Sequence, residues 1–181
     1  DRSIRNRGPL DRAEAANILK ACLKYLAAPP TKKLVPFTYS WLLRLHEEMF
    51  GDVWQWAGRL RDVESNIGLS PHDIAPQLYD FVQRLDIWKE QFPPIEQSVF
   101  IHHRATQIHP FHNGNGRWAR MLTGIWLRRQ DLPAIEWPPN LGKKSPIRNE
   151  YLQAIRAADE GELKPLTNLH TRLLGRDSDA K

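Results

Sequence analysis

The sequence predicts an all-α fold carrying one short β-hairpin, and three observations predict it. Apolar residues recur at helical spacing over most of the 181 residues, prolines and glycines cut that pattern into helix-length pieces, and residues 59–69 show no helical period at all. With 41% hydrophobic residues the chain has enough apolar surface for one domain-sized core. It divides into an N-terminal helical extension (1–37), a core domain (38–174) and a disordered tail (175–181).

Asp11 followed by Glu14 reads as a capping box opening a helix over residues 12–27, which Pro29 and Pro30 end. Cys22, the single cysteine, shares the apolar face of that helix with Ile18 and Leu26, so it reads as a packing residue with no disulfide partner in the chain. A second helix over residues 38–50 buries Trp41, Leu42, Leu45 and Met49 and stops at Gly51. The aperiodic stretch 59–69 contains Asn66 and Gly68 and reads as a hairpin or flap. Ser70 and Pro71 suggest a cap, but Pro76 delays the regular helix, which then runs over 76–91. Pro93 and Pro94 precede a helix over 95–108 with Ile101, Ala105 and Ile108 on one face, and Pro110 ends it. The next helix, 116–129, puts Trp118, Leu122, Ile125 and Trp126 on one face and Arg117 and Arg120 together on another. A proline-rich loop over 131–145, with a structural Trp137, leads to the closing helical segment 149–174.

Net charge is +5, from 26 basic and 21 acidic residues spread along the chain, which fits solubility or an acidic partner as well as nucleic acid. No apolar run approaches the roughly 20 residues of a membrane span and no secretory h-region is present, so neither a membrane partner nor export is expected. A cytoplasmic setting fits the lone cysteine. His102 and His103 are adjacent on a helix and diverge by about 100°, and there is no third ligand nearby, so a zinc site is not expected. Both histidines read as packed or solvated.

The chemistry concentrates in residues 108–120. His109 can act as a base near neutral pH; Gly114 and Gly116 let backbone amides approach an anion; the leading amides of the following helix and the forks of Arg117 and Arg120 complete a phosphate site. Phe111 reads as the plug that pins the loop to the core. Asn-Gly turns and helix-opening arginines also occur in ordinary helix-loop-helix connections. The complete string decides between the two.

That string resembles the signature of the Fic family, H-x-F-x-[D/E]-G-N-G-R-x-x-R, at His109, Phe111, Gly114, Asn115, Gly116, Arg117 and Arg120. Residues 49–61 look like the family's run ahead of its target-docking flap, and 149–174 are similar in spacing to its closing helices, so the resemblance covers about residues 38–174. The Asn113-Gly114-Asn115-Gly116 variant, with Leu10-Asp11-Arg12-Ala13-Glu14, looks most like the mobile mystery protein B group.

The resemblance implies a Fic-type helical bundle that transfers AMP from ATP to a Ser, Thr or Tyr hydroxyl of a target protein. His109 would deprotonate that hydroxyl. Gly114, Asn115 and Gly116 would form the anion hole, with the Asn115 amide touching phosphate, while Arg117 and Arg120 would neutralise the departing pyrophosphate. Asn66, Ile67 and Gly68 would dock the target at the flap. Asn113 stands where the family has the acidic ligand of Mg²⁺, so the ion would be weakly held, chiefly by the nucleotide, and activity would be slowed or altered. The family's inhibitory segment, [S/T]-x-x-x-E-[G/N], has no match in the chain. Inhibition is therefore expected from a separate antitoxin-like protein, making this the toxin-like member of a bacterial pair. The rival readings are a nucleotide- or protein-binding module without efficient turnover, and a nucleic-acid-binding helical protein suggested by the pI near 9.5.

Overall fold

Prolines mark where four of the helices begin, at first-turn positions whose amide hydrogens would have had no helical partner. A computed structural model of the chain describes residues 7–142 and 144–174. They form α1 (Arg7–Leu26), α2 (Tyr39–Phe50), α3 (Pro71–Gln91), α4 (Pro94–Ile108), α5 (Asn115–Arg128), a 3-10 turn (Pro139–Gly142), α6 (Pro146–Asp159) and α7 (Lys164–Leu173). Among the described residues, no helix is long and apolar enough to cross a membrane.

Helices α4 and α5 are the centre. One side of them closes an apolar cluster with α1, α2 and α3 that holds Tyr25, Trp41, Leu45, Phe81, Ile101 and Trp118. The other side closes a second cluster with α6 and α7, around Val99, Leu127, Tyr151 and Leu169. The short loop between α4 and α5 is thereby held from both sides. On α2, Thr38 caps the helix by accepting the Trp41 amide hydrogen at 3.3 Å, and Trp41, Leu42, Leu45 and Met49 are buried as their spacing predicts. Cys22 is half-buried, and burial raises its thiol pKa.

Three expectations are corrected. α1 starts at Arg7, a turn and more before the expected cap, so Asp11 lies inside the helix and Glu14 is free of capping duty and turns inward. α3 starts at Pro71 with Pro76 inside it. The hydrogen bond lost at Pro76 is offset by keeping Ile74 on the same buried face as Leu78, Phe81 and Leu85. The flap is not a hairpin: its only bridge is a single antiparallel one from Leu60 to Phe111. The Arg61 side chain occupies the middle of the loop and takes the carbonyls of Val63 (2.9 Å) and Leu69, so these acceptors are not available to a strand ladder. α1 packs on α2 and α5 and shares their apolar cluster. The expected tail, 175–181, lies outside the described residues.

Candidate active site

The end of α4 sets the position of the imidazole. His109 caps that helix in the left-handed conformation (φ 51, ψ 58), one that histidine tolerates better than most residues. The turn breaks the helix before Pro110 and puts His109 at the edge of a cavity of about 990 Å³. That is the upper end of the ~300–1,000 Å³ usual for small-molecule sites. Burial and the Arg61 guanidinium hold the His109 pKa below its usual value, against a backbone hydrogen bond with Thr106 that raises it. The ring is therefore neutral near pH 7 and able to accept a proton.

Two residues that sequence reasoning missed hold this turn. Arg61, 3% exposed, donates from Nε to the His109 carbonyl at 2.9 Å, while its own backbone amide donates to the Pro110 carbonyl at 2.9 Å. His46, wholly buried on α2, accepts the Gly58 amide hydrogen at Nδ1 (3.0 Å), so Nε2 carries the proton and donates to the Asn113 carbonyl at 3.0 Å. Burial, opposed by the Asn113 bond and helped by nearby Arg117, pushes the His46 pKa down to about 4. Its ring stacks on Phe111 with centroids 3.6 Å apart, and Trp118 meets Phe111 edge-on at 5.1 Å. Phe111 is fully buried between them. A histidine on the apolar face of α2, beside Leu42, Leu45 and Met49, was the available signal.

Gly114 opens α5 at φ 80, and a Cβ there would lie 2.7 Å from the Phe50 ring. No side chain caps α5, so its first amides, from Asn115, Gly116 and Arg117, remain available to an anion. The Asn115 side chain does not face the cavity. Its Oδ1 accepts the Phe111 amide hydrogen (2.9 Å) and its Nδ2 donates to the Phe111 carbonyl (2.7 Å), which closes the loop on itself. Of the Asn115 amide groups, only the backbone one is left to meet an anion.

The two arginines differ. Arg117 is ion-paired with Glu14 of α1 and lies 4.7 Å from the Phe50 ring. Arg120 is largely buried, and among the described residues no carboxylate forms an ion pair with it. It sits 5.8 Å from the rings of both Trp137 and Tyr151, and burial lowers its pKa, opposed by the neighbouring Tyr151. Both arginines line the cavity with His109, Asn113, Gly114, Gly116 and the loop residues Asn66, Ile67 and Gly68. Asn113 is exposed, and its Oδ1 accepts the Gly114 amide hydrogen at 2.7 Å. No group of three or more His, Cys, Asp or Glu able to hold a metal occurs among the described residues. This donor set does not fit a resident Mg²⁺. His102 is buried and His103 pairs with Asp159 at 2.8 Å, as packed and partly solvated histidines.

The Fic/DOC family profile matches residues 36–127. Protein adenylyltransferase fic-1 of Caenorhabditis elegans is 31% identical over 68% of this chain and 24% of its own length. Protein adenylyltransferase Fic of Nematostella vectensis is 27% identical over 90% of this chain and 38% of its own. The chain thus spans a quarter to two-fifths of the curated relatives it matches. A solved C. elegans Fic-1 fragment superposes with a TM-score of 0.80 at 25% identity, over 94% of this chain and 50% of that one. BepC of Bartonella tribocorum, solved with bound AMPPNP, gives a TM-score of 0.71 at 17% identity, over 94% and 88%, and shares the fold.

Proposed function

This chain belongs to the Fic/DOC family, and on that footing we propose that it transfers AMP from ATP to a hydroxyl side chain of a target protein. One observation carries the reading: a buried guanidinium, Arg120, which has no carboxylate partner among the described residues, lines the same cavity as a neutral imidazole, His109. A largely buried cation without a paired charge is unfavourable unless an anion completes it. The relatives named adenylyltransferases and the AMPPNP held by the Bartonella protein support a nucleotide as that anion.

In this reading His109 takes the proton of the target hydroxyl as its oxygen attacks the α-phosphorus. The bond from the α-phosphorus to the bridging oxygen breaks, and pyrophosphate leaves with its charge met by Arg120, Arg117 and the first amides of α5. Positioning and charge stabilisation do most of the work in such a transfer. Mg²⁺ enters only as a companion of the nucleotide's phosphates. The target lies against Asn66, Ile67 and Gly68, where Ile67 is 61% exposed and apolar. Within the family we assign the chain to the mobile mystery protein B group on its Asn113-Gly114-Asn115-Gly116 loop, and to a cytoplasmic toxin-like role with a separate antitoxin-like inhibitor.

Asn113 and the Glu14–Arg117 pair favour a second reading, a nucleotide-binding Fic module with slow or altered phosphotransfer. Incubation with labelled ATP, GTP, CTP or UTP and a bacterial lysate separates the two. Transfer is expected to label a protein by the mass of one AMP, with the label lost in His109→Ala. Nucleotide binding with no labelled protein selects the second reading, and no binding at all removes both.

A further inference from the structure

The cavity is lined by four arginines, Arg117, Arg120, Arg148 and Arg156, against one carboxylate, Asp159. Asp159 is already hydrogen-bonded to His103 at 2.8 Å, and Arg117 is paired with Glu14. Arg156 is exposed, so solvent screens it. Arg148 is half-buried, and among the described residues no carboxylate forms an ion pair with it or with Arg120.

The start of α6 fixes Arg148. The Ser145 hydroxyl accepts its amide hydrogen at 3.3 Å as the helix cap, and its Nη1 donates to the Leu141 carbonyl at 3.0 Å. Leu141 is 3% exposed and belongs to the 3-10 turn that packs on α6. A carbonyl holds a guanidinium without cancelling its charge, whereas a carboxylate does both, as Glu14 does for Arg117. That bond uses part of the fork and leaves its other N–H donors to an incoming oxygen. Tyr151 stands one helical turn after Arg148 on α6, and its ring lies 5.8 Å from the Arg120 guanidinium. Arg120 and Arg148 thus reach the same end of the cavity from α5 and α6.

Two cations held together in a partly buried site repel, and the empty protein carries that cost. An anion between them reverses its sign. A departing pyrophosphate is such an anion, and the site is otherwise short of charge for it, since Asn113 is neutral and Glu14 offsets Arg117. We propose that Arg148 is a third phosphate-binding guanidinium, sharing with Arg120 the part of the nucleotide's phosphate chain that leaves as pyrophosphate. This rests on the reading that Arg120 meets the nucleotide's phosphates.

The test is Arg148→Gln, whose amide keeps a donor for the Leu141 carbonyl while the charge is lost. Calorimetry in chelator reads it on the whole chain, with inorganic tripolyphosphate, ATP and AMP as probes. Affinity for tripolyphosphate and ATP is expected to fall about tenfold, the worth of one charge several ångströms away in a partly buried site. AMP has no phosphate beyond the first and should be bound nearly as well as before. Arg148→Lys, which restores the charge, should recover most of the tripolyphosphate affinity. Undiminished tripolyphosphate affinity in Arg148→Gln, an equal loss for AMP, or a lysine variant no better than the glutamine one overturns the proposal. The ligand-free Arg148→Gln chain should have a urea midpoint no lower than the wild type, because a repulsion is removed; a lower one assigns the residue to packing and overturns the proposal too. A wild-type chain whose tripolyphosphate binding weakens in Arg148→Gln, yet which labels no protein, refutes the transfer reading and upholds the third guanidinium. One that binds none of the probes removes both.

Discussion

Glu14 on α1 holds Arg117 on α5 across 103 positions of sequence. Its other oxygen accepts the Trp54 indole hydrogen at 3.0 Å, and the residue is only 9% exposed. Glu14 does not itself line the cavity that Arg117 lines. The carboxylate therefore works from behind, cancelling part of the positive potential an incoming polyphosphate would meet. Through a partly buried site, one such charge several ångströms away is worth about 1–2 kcal/mol.

Glu14→Gln should accordingly raise the affinity for ADP and ATP about tenfold. Glutamine keeps an oxygen for Trp54, so the indole bond survives and only the charge is lost. Isothermal calorimetry at moderate salt reads this directly. Unchanged or weaker binding would mean that Arg117 is held for packing and never meets the nucleotide.

Gly68 permits the close approach of the flap to the base. Its φ is +95, and a Cβ there would stand 2.4 Å from His109 Cβ and 3.0 Å from the Arg61 guanidinium. Gly161 has nearly the same φ, +92, and open space around it. Gly161→Ala should cost about 1 kcal/mol of stability, the strain of a positive φ alone. Gly68→Ala should cost about 2–4 kcal/mol, with overpacking added, and should reduce transfer by displacing His109. Equal effects of the two on urea midpoints and activity would refute the contact.

What could be read in advance follows a physical divide. The buried face of α2 and the loop from His109 to Arg120 are written in spacing of 3 and 4 residues or in one contiguous string, and both were legible. The role of Glu14 was not, because a local capping pattern with Asp11 competed with a partner 103 residues away. Pro76 misled for a related reason: its local penalty is visible in sequence, whereas the burial of Ile74 that offsets it is tertiary. The flap's missing ladder traces to Arg61, whose guanidinium takes the carbonyls of His109, Val63 and Leu69. Nothing in a strand pattern reports that a long side chain will fold back into its own loop. The pairing of His102 with His170, 68 positions apart, was likewise invisible until α4 and α7 met.

Acid should unfold the protein through its buried imidazoles. Burial pushes the His46 pKa down to about 4 in the fold, against about 6.5 for a free imidazole. Between these values the unfolded chain binds a proton the folded one refuses, so stability is fully present above about pH 6.5 and is lost as pH falls toward 4. For His46 this amounts to about 3 kcal/mol, with His170, His102 and His109 shifted the same way. Urea midpoints are expected to be level from pH 7 to 8.5 and to fall steeply from 6.5 to 4.5. A gain in stability on acidification would mean that these rings are charged in the fold.

Asn113→Asp offers a test in which two signs must come out opposite. The Asn113 Oδ1 accepts the Gly114 amide hydrogen at 2.7 Å, a bond that a carboxylate keeps and strengthens, so the loop geometry should survive. What changes is one negative charge at the exposed rim of the cavity. Without divalent cation that charge repels the phosphates, and nucleotide affinity should fall several-fold. With Mg²⁺ a carboxylate supplies the charged hard ligand that an amide lacks, so the ion should half-saturate at roughly tenfold lower concentration and transfer should quicken. Calorimetry in chelator and in Mg²⁺ separates the two arms. If both arms move in the same direction, the residue acts on loop shape, and the amide at this position is no handicap to metal-assisted binding.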